Sequence, residues 1–284
     1  MRWRKGRRST NIDDRRGRRV SPKVAGGGIG TLVLLLAALY FGVDPGVVLD
    51  SVATSPAPSA RVEPYTPTAE EQELADFTAV ILGYTEDTWK TLFGRGGSAY
   101  REPELVLFTG ATESACGVGQ AAMGPFYCGL DQKVYIDLSF YRDLRDRFGA
   151  PGEFAQAYVI AHEVGHHVQQ LLGISDQVRE QKARTNREGA NALSVRQELQ
   201  ADCLAGVWAF HADRASDILE TGDLEQGLNA ASAIGDDRLQ KMSRGRVVPE
   251  SFTHGSSAQR VRWFRRGLES GDIGQCDTFA QSRL

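Results

Sequence analysis

The run Tyr158-Val-Ile-Ala-His162-Glu163-Val-Gly-His166-His167-Val-Gln169 constrains this chain more than any other stretch. Apolar or small residues at Phe154, Ala157, Tyr158, Ala161, Val164, Val168 and Leu172 recur with the helical period, so the segment is a helix with one buried face. Pro151-Gly152 opens it and Gly173 closes it. His162 and His166 stand four residues apart. That spacing puts both imidazoles on one side of the helix, about a turn apart, close enough to share one metal ion. Glu163 can then reach a water on that ion. This is the H-E-x-x-H arrangement, in which two neutral imidazoles hold zinc and the glutamate takes the proton of the water that attacks a carbonyl.

Two histidines leave zinc short of a third protein ligand. Arg196-Gln-Glu198-Leu-Gln-Ala-Asp202-Cys203 belongs to a second helix and carries two carboxylates, again four apart. Leu199, Ala201, Leu204, Ala205, Val207 and Trp208 surround them, and carboxylates in so apolar a helix need partners rather than solvent. Glu198 is therefore the candidate third ligand. Asp202, one turn on, would accept the outer N–H of a ligand histidine and fix its tautomer.

The net charge of −3 over 284 residues conceals an asymmetry. Residues 1–23 hold ten Arg or Lys against Asp13 and Asp14, a net of +8, which leaves −11 for the remainder. A basic arm implies nucleic acid or an anionic membrane face, and the next segment favours the membrane. Residues 24–43 are twenty consecutive uncharged residues, enough to cross a hydrocarbon core of about 30 Å. Basic residues immediately before such a run keep the N-terminus in the cytoplasm and send the rest across. A cleaved secretory signal is the competing reading, and binding of nucleic acid by the arm is disfavoured because the apolar span accounts for the charge. The expected organisation is a basic cytoplasmic arm (1–23), a transmembrane helix (24–43), a Pro-rich linker (44–67) and a globular domain (68–284).

Thr68-Ala-Glu-Glu71 reads as a capping box opening the domain's first helix, which runs to Phe93. Leu105–Phe108 and Val134–Phe140 have strand character, and the second is either a sheet edge that pairs with an extended peptide or a plain structural strand. Residues 174–193 are polar, a loop or helix bordering the cleft. Further helices are expected over 222–234 and 256–268. Four cysteines permit three pairings outside the cytoplasm. Cys116 with Cys128, closing a Gly-rich loop, and Cys203 with Cys276, tying the C-terminus to the carboxylate helix, are favoured over cysteine-ligated zinc, for which no C-x-x-C spacing exists.

Assembled, these residues resemble the bacterial membrane-anchored neutral zinc metallopeptidases, within the zincin group that uses glutamate as third ligand. The resemblance covers nearly the whole chain apart from the linker. It includes the opening Met1-Arg-Trp-Arg-Lys-Gly-Arg-Arg8, Gly124-Pro-Phe-Tyr-Cys128, Ala155 to His167, Glu198 to Cys203, Ser251-Phe-Thr-His254-Gly255, and Gln259-Arg260-Val-Arg-Trp-Phe264. It implies an α+β zincin-like domain, mostly helical with a small β-sheet, behind one N-terminal membrane helix. It implies one Zn2+ per chain on His162, His166 and Glu198, Glu163 as general base, and His254 as the group that stabilises the oxyanion. Thr253-His254-Gly255 departs from the Thr-His-Pro of related zincins at Gly255. The implied protein hydrolyses polypeptide substrates from the outer side of a single-pass bacterial inner membrane, with no nucleic acid partner and no oligomeric state indicated. The reading from another class is a zinc-stabilised, membrane-tethered binding or scaffolding protein without turnover.

Overall fold

The structure, a computed structural model, describes residues 1–18, 65–282 and 284. The expected membrane helix at 24–43 and most of the 44–67 linker lie outside the described residues. Among the described residues no helix is long and apolar enough to cross a membrane.

A short strand β1 (Ile12–Asp14) precedes helix α1 (Ala69–Arg95), strands β2 (Glu104–Phe108), β3 (Ala111–Ser114), β4 (Gly117–Gln120), β5 (Phe126–Cys128) and β6 (Lys133–Asp137), and then seven helices. These are α2 (Phe140–Asp146), α3 (Glu153–Leu171), α4 (Ile174–Ala183), α5 (Arg187–Ser216), α6 (Asp223–Ala233), α7 (Asp236–Arg244) and α8 (Ser257–Ser270). The result is the expected α+β domain, mostly helical with a small mixed sheet. Thr68 caps α1 as read from sequence: its hydroxyl takes the Glu71 N–H at 3.2 Å and the Glu71 carboxylate returns to the Thr68 N–H at 2.8 Å. Both favoured disulfides are formed, Cys116–Cys128 and Cys203–Cys276.

The main sheet runs β1-β2-β6-β5, with β1, β2 and β6 parallel and β5 antiparallel to β6. Strand β6 is interior, so it cannot offer an edge to a substrate; among the described residues β1 and β5 are the edges, and β5 is the one that borders the cleft described below. The expected strand to Phe140 also stops early, because Asp137 takes the N–H groups of Ser139 (2.9 Å) and Gly110 (2.6 Å) and the chain turns into α2. Both faces of the sheet are covered. Leu105, Leu107, Val134 and Ile136 join the helical core, while Val106, Phe108 and Tyr135 pack with Cys128 and Phe126 on the other side. Tyr135 and Phe126 stack there with centroids 4.7 Å apart.

The basic N-terminal segment, expected to stand apart from the domain, is part of it. Strand β1 pairs Ile12–Asp14 with Leu105–Leu107. Trp3 is buried edge-on to Phe77 at 5.3 Å, and its indole N–H donates to Glu153 at 2.8 Å. The arginines meet acidic partners: Arg4 with Glu73, Arg7 with Glu86, Arg8 with Asp76, and Arg16, itself buried, with Asp14. The charge asymmetry seen in the sequence is thus largely neutralised within one folded body. Residues 1–18 pack with the 65–284 domain in this fold, an arrangement that a single membrane crossing by 24–43 would part. All four native cysteines are in disulfides, so single cysteines introduced at the exposed positions Lys5 and Met242 can be read without background. A membrane-impermeant maleimide is expected to label both from the same face of sealed vesicles; labelling from opposite faces would show that the 1–18 packing does not form in the membrane-bound protein.

Candidate metal centre

Helices α3 and α5 cross closely because Gly165, between the two motif histidines, leaves room for the backbone of Ala201: a Cβ there would lie 3.0 Å from the Ala201 carbonyl oxygen. The crossing brings Glu198 under both imidazoles. Its Oε2 is 3.2 Å from His162 Nε2 and its Oε1 is 3.4 Å from His166 Nε2. One ligand atom from each of the three residues lies within 4.8 Å of the others, a cluster able to hold a metal ion. Two ligands each about 2.05 Å from a tetrahedral zinc ion are separated by about 3.3 Å, so both measured spacings suit that ion, as do the donor types.

These three groups also contact one another directly. Burial alone would lower the His162 pKa, but the facing carboxylates of Asp202 and Glu198 outweigh it and hold it up at about 10. Burial opposes His166 likewise, and Glu198 overrides it in the same direction. Glu198 is itself held well below the usual carboxylate range, its burial outweighed by the two imidazoles. A zinc ion held here would compete with protons for these groups.

Asp202 occupies the position inferred for it, with partners the sequence did not reveal. Fully buried, it accepts from His162 Nδ1 at 2.9 Å, from the Tyr158 hydroxyl at 2.5 Å, and from Arg260 Nε and Nη2 at 2.9 and 2.8 Å. With Nδ1 committed to Asp202, Nε2 of His162 is the nitrogen that faces Glu198 and would take the metal. Arg260 reaches Asp202 from α8, so three helices meet on one carboxylate. Tyr158 had been assigned only to the apolar face of α3. His166 has a different orienting partner, also unforeseen: its Nδ1 lies 2.9 Å from the side-chain oxygen of buried Gln169, one turn on along α3. That i, i+3 spacing was available in the sequence.

Glu163, His254 and the three metal-cluster residues line one cleft of about 420 Å3, closed on another side by Phe140 and Phe148 and bordered by the 121–127 segment that leads into edge strand β5. His254 is brought there by α7. Asp236 Oδ2 takes the backbone N–H groups of Thr253, His254 and Gly255 at 2.7, 2.6 and 3.1 Å, and Oδ1 faces His254 Nδ1 at 3.3 Å. Hydrogen bonding to Asp236 raises the His254 pKa. The turn has φ of +90° at Gly255, which proline, fixed near −65°, cannot adopt, so the glycine that departs from the related pattern is required by this turn.

His167 turns away from the cluster and is buried, donating Nε2–H to the Arg101 carbonyl at 2.6 Å and accepting the Tyr127 hydroxyl at Nδ1, 3.0 Å away. It pins edge strand β5 to the metal helix. Burial pushes its pKa down to about 4. With an ordinary value near 6.5 in the unfolded chain, the unfolded state binds more protons between about pH 4 and 6.5, so this residue's contribution to stability falls as pH drops through that window. His167→Gln should flatten the pH dependence of unfolding free energy between pH 4 and 6.5 by on the order of 3 kcal/mol relative to wild type, read by denaturant titration. An unchanged slope would show that His167 does not stay neutral in the fold.

A family model described as "Putative neutral zinc metallopeptidase" matches residues 1–279. YpfJ of Escherichia coli K12 is 52% identical over 99% of this chain and 100% of its own length. Rv2575 of Mycobacterium tuberculosis H37Rv is 38% identical over 87% of this chain and 86% of its own. Both relatives are described as uncharacterized proteins. No solved structure matches the chain.

Proposed function

The chain belongs to the neutral zinc metallopeptidase family, and on that premise we propose that it is a zinc-dependent endopeptidase acting on polypeptides, with one zinc ion held by His162, His166 and Glu198. The observation that carries this reading is the meeting of three donors from two separate helices at zinc-ligand spacing, beside an unligated glutamate in an open cleft. A bound zinc ion supplies Lewis acidity and a water acidic enough, with a pKa near 7, to act as nucleophile at neutral pH.

The chain's own residues do the rest. Glu163, one residue from a ligand, accepts the proton of the attacking water and returns it to the leaving amine. His254, its pKa raised by hydrogen bonding to Asp236, donates to the carbonyl oxygen as negative charge develops on it. The free edge of β5 offers backbone groups to an extended substrate, whose side chains enter the cleft against Phe140 and Phe148. The two disulfides support an oxidising, extracytoplasmic compartment for the domain. Membrane attachment through 24–43 rests on the composition of that segment.

Glu163→Gln is expected to keep one zinc per chain and lower turnover of a denatured protein substrate by at least about 10³-fold, measured on full-length protein free of other proteases. Undiminished turnover would remove Glu163 from the mechanism. His254→Ala is expected to lower kcat by about 10²- to 10³-fold with a smaller change in KM, the split that separates a group acting on the transition state from one that binds substrate.

A further inference from the structure

The two ligand histidines are oriented by different chemistry. His162 has a carboxylate behind it, whereas His166 has the side-chain amide of Gln169. An amide is ambiguous, since its oxygen accepts and its nitrogen donates, so Gln169 alone would leave the ring of His166 free to present either tautomer. Its surroundings remove that freedom. The Gln169 nitrogen faces the main-chain carbonyl of Gln197 at 2.7 Å and Gln200 Oε1 at 2.9 Å. The Gln200 nitrogen faces the carbonyl of Cys276 at 3.1 Å. Backbone carbonyls only accept, so the groups facing Gln197 and Cys276 must be the NH2 ends of the two side chains. It follows that Gln169 turns its oxygen to His166, that Nδ1 carries a proton, and that Nε2, facing Glu198, is the nitrogen left to take the metal.

We infer that Gln169 and Gln200 are positioning residues for the metal centre: a one-way hydrogen-bond relay, polarised by the carbonyls of Gln197 and Cys276, that locks His166 in its zinc-binding tautomer. The relay is sealed from water, with Gln169 0% and Gln200 6% exposed, so no solvent molecule can stand in for a missing partner. Its far end is fixed as well. Cys276 is bonded to Cys203 on α5, and the chain just beyond is held by Thr278, whose hydroxyl donates to the Arg196 carbonyl at 2.7 Å. The C-terminal turn, distant from the cleft, thereby becomes part of what the metal site needs. The inference rests on the metal reading of His162, His166 and Glu198.

The test uses Gln169→Met and Gln200→Met, which keep side-chain volume and remove the amide, singly and together in the full-length protein. Zinc affinity is measured by competition with a chromophoric chelator, and the His166 Nδ1–H by NMR of the zinc-loaded protein. Gln169→Met should weaken zinc by about 10- to 100-fold and turn a slowly exchanging Nδ1–H into a rapidly exchanging one. Gln200→Met should weaken zinc less, and should cost nothing further once Gln169 is already Met, because the two act in series. Affinity within about twofold of wild type in Gln169→Met with the Nδ1–H still protected, or fully additive losses in the double variant, would overturn the relay. Thermal unfolding checks the fold of each variant. If Gln169→Met does not fold, Gln200→Met carries the decision alone, its affinity loss and faster exchange supporting the relay and their absence refuting it. A wild-type chain that takes up no zinc would refute the metal reading itself, a result distinct from equal zinc binding by wild type and variants.

Discussion

The structure hangs on a carboxylate with no access to water. Transfer of an ionised Asp202 into the interior costs several kcal/mol, which only well-directed donors can offset. It has them from three sources: the hydroxyl of Tyr158 and the ring of His162 on α3, and the guanidinium of Arg260 on α8. Burial would raise the Asp202 pKa, and Arg260 and His162 reverse the shift. Removal of Arg260 would leave the charge buried without its counter-ion, and loss of Tyr158 or His162 would leave it short of a donor, so the crossing of α3, α5 and α8 and the orientation of His162 are secured by the same contacts. In this molecule packing the core and aiming the site are one operation.

What the sequence disclosed, and what it withheld, follows from the range of the interactions. His162 and His166, and Glu198 and Asp202, are pairs at helical spacing, so their shared face was legible from local periodicity alone. That the two faces meet was inferred from ligand chemistry, and the geometry supports it because Gly165 permits the close crossing. The capping box at Thr68 is equally local. Asp236 was illegible because its partner His254 lies 18 residues away, across the turn between α7 and α8. Gln169 was passed over for another reason: a polar residue near the end of an amphipathic helix reads as solvent-facing, and nothing in the pattern distinguishes it from one that is buried.

The N-terminal segment shows how a correct count of charge can mislead about architecture. The basic residues at the start of the chain read as a cytoplasmic arm because the acidic partners of Arg4, Arg8 and Arg7 lie on a helix some seventy residues later, at Glu73, Asp76 and Glu86. The segment has little apolar content, yet Trp3 and a three-residue strand suffice to dock it once those charges are met. Strand β6 misleads in the opposite sense. A strand covered on both faces and one exposed at an edge can carry the same alternation, and only the pairing order β1-β2-β6-β5 reveals which strand is free.

The two histidine partners also divide the electrostatic work of the site. Asp202 is balanced by Arg260, so this pair contributes a fixed orientation to His162 with little net charge. The Gln169–Gln200 relay orients His166 with no formal charge at all. Glu198 and Glu163 are then the carboxylates nearest the two motif histidines in the cleft lining, and a divalent ion held there would offset their charge. In the proposed reaction His254, whose pKa its contact with Asp236 raises, would tip that balance toward a developing oxyanion. An additional buried carboxylate behind His166, in place of the amide, would make the centre more negative and weaken that preference. A neutral relay fixes His166 without opposing the charge that the proposed peptide hydrolysis would build.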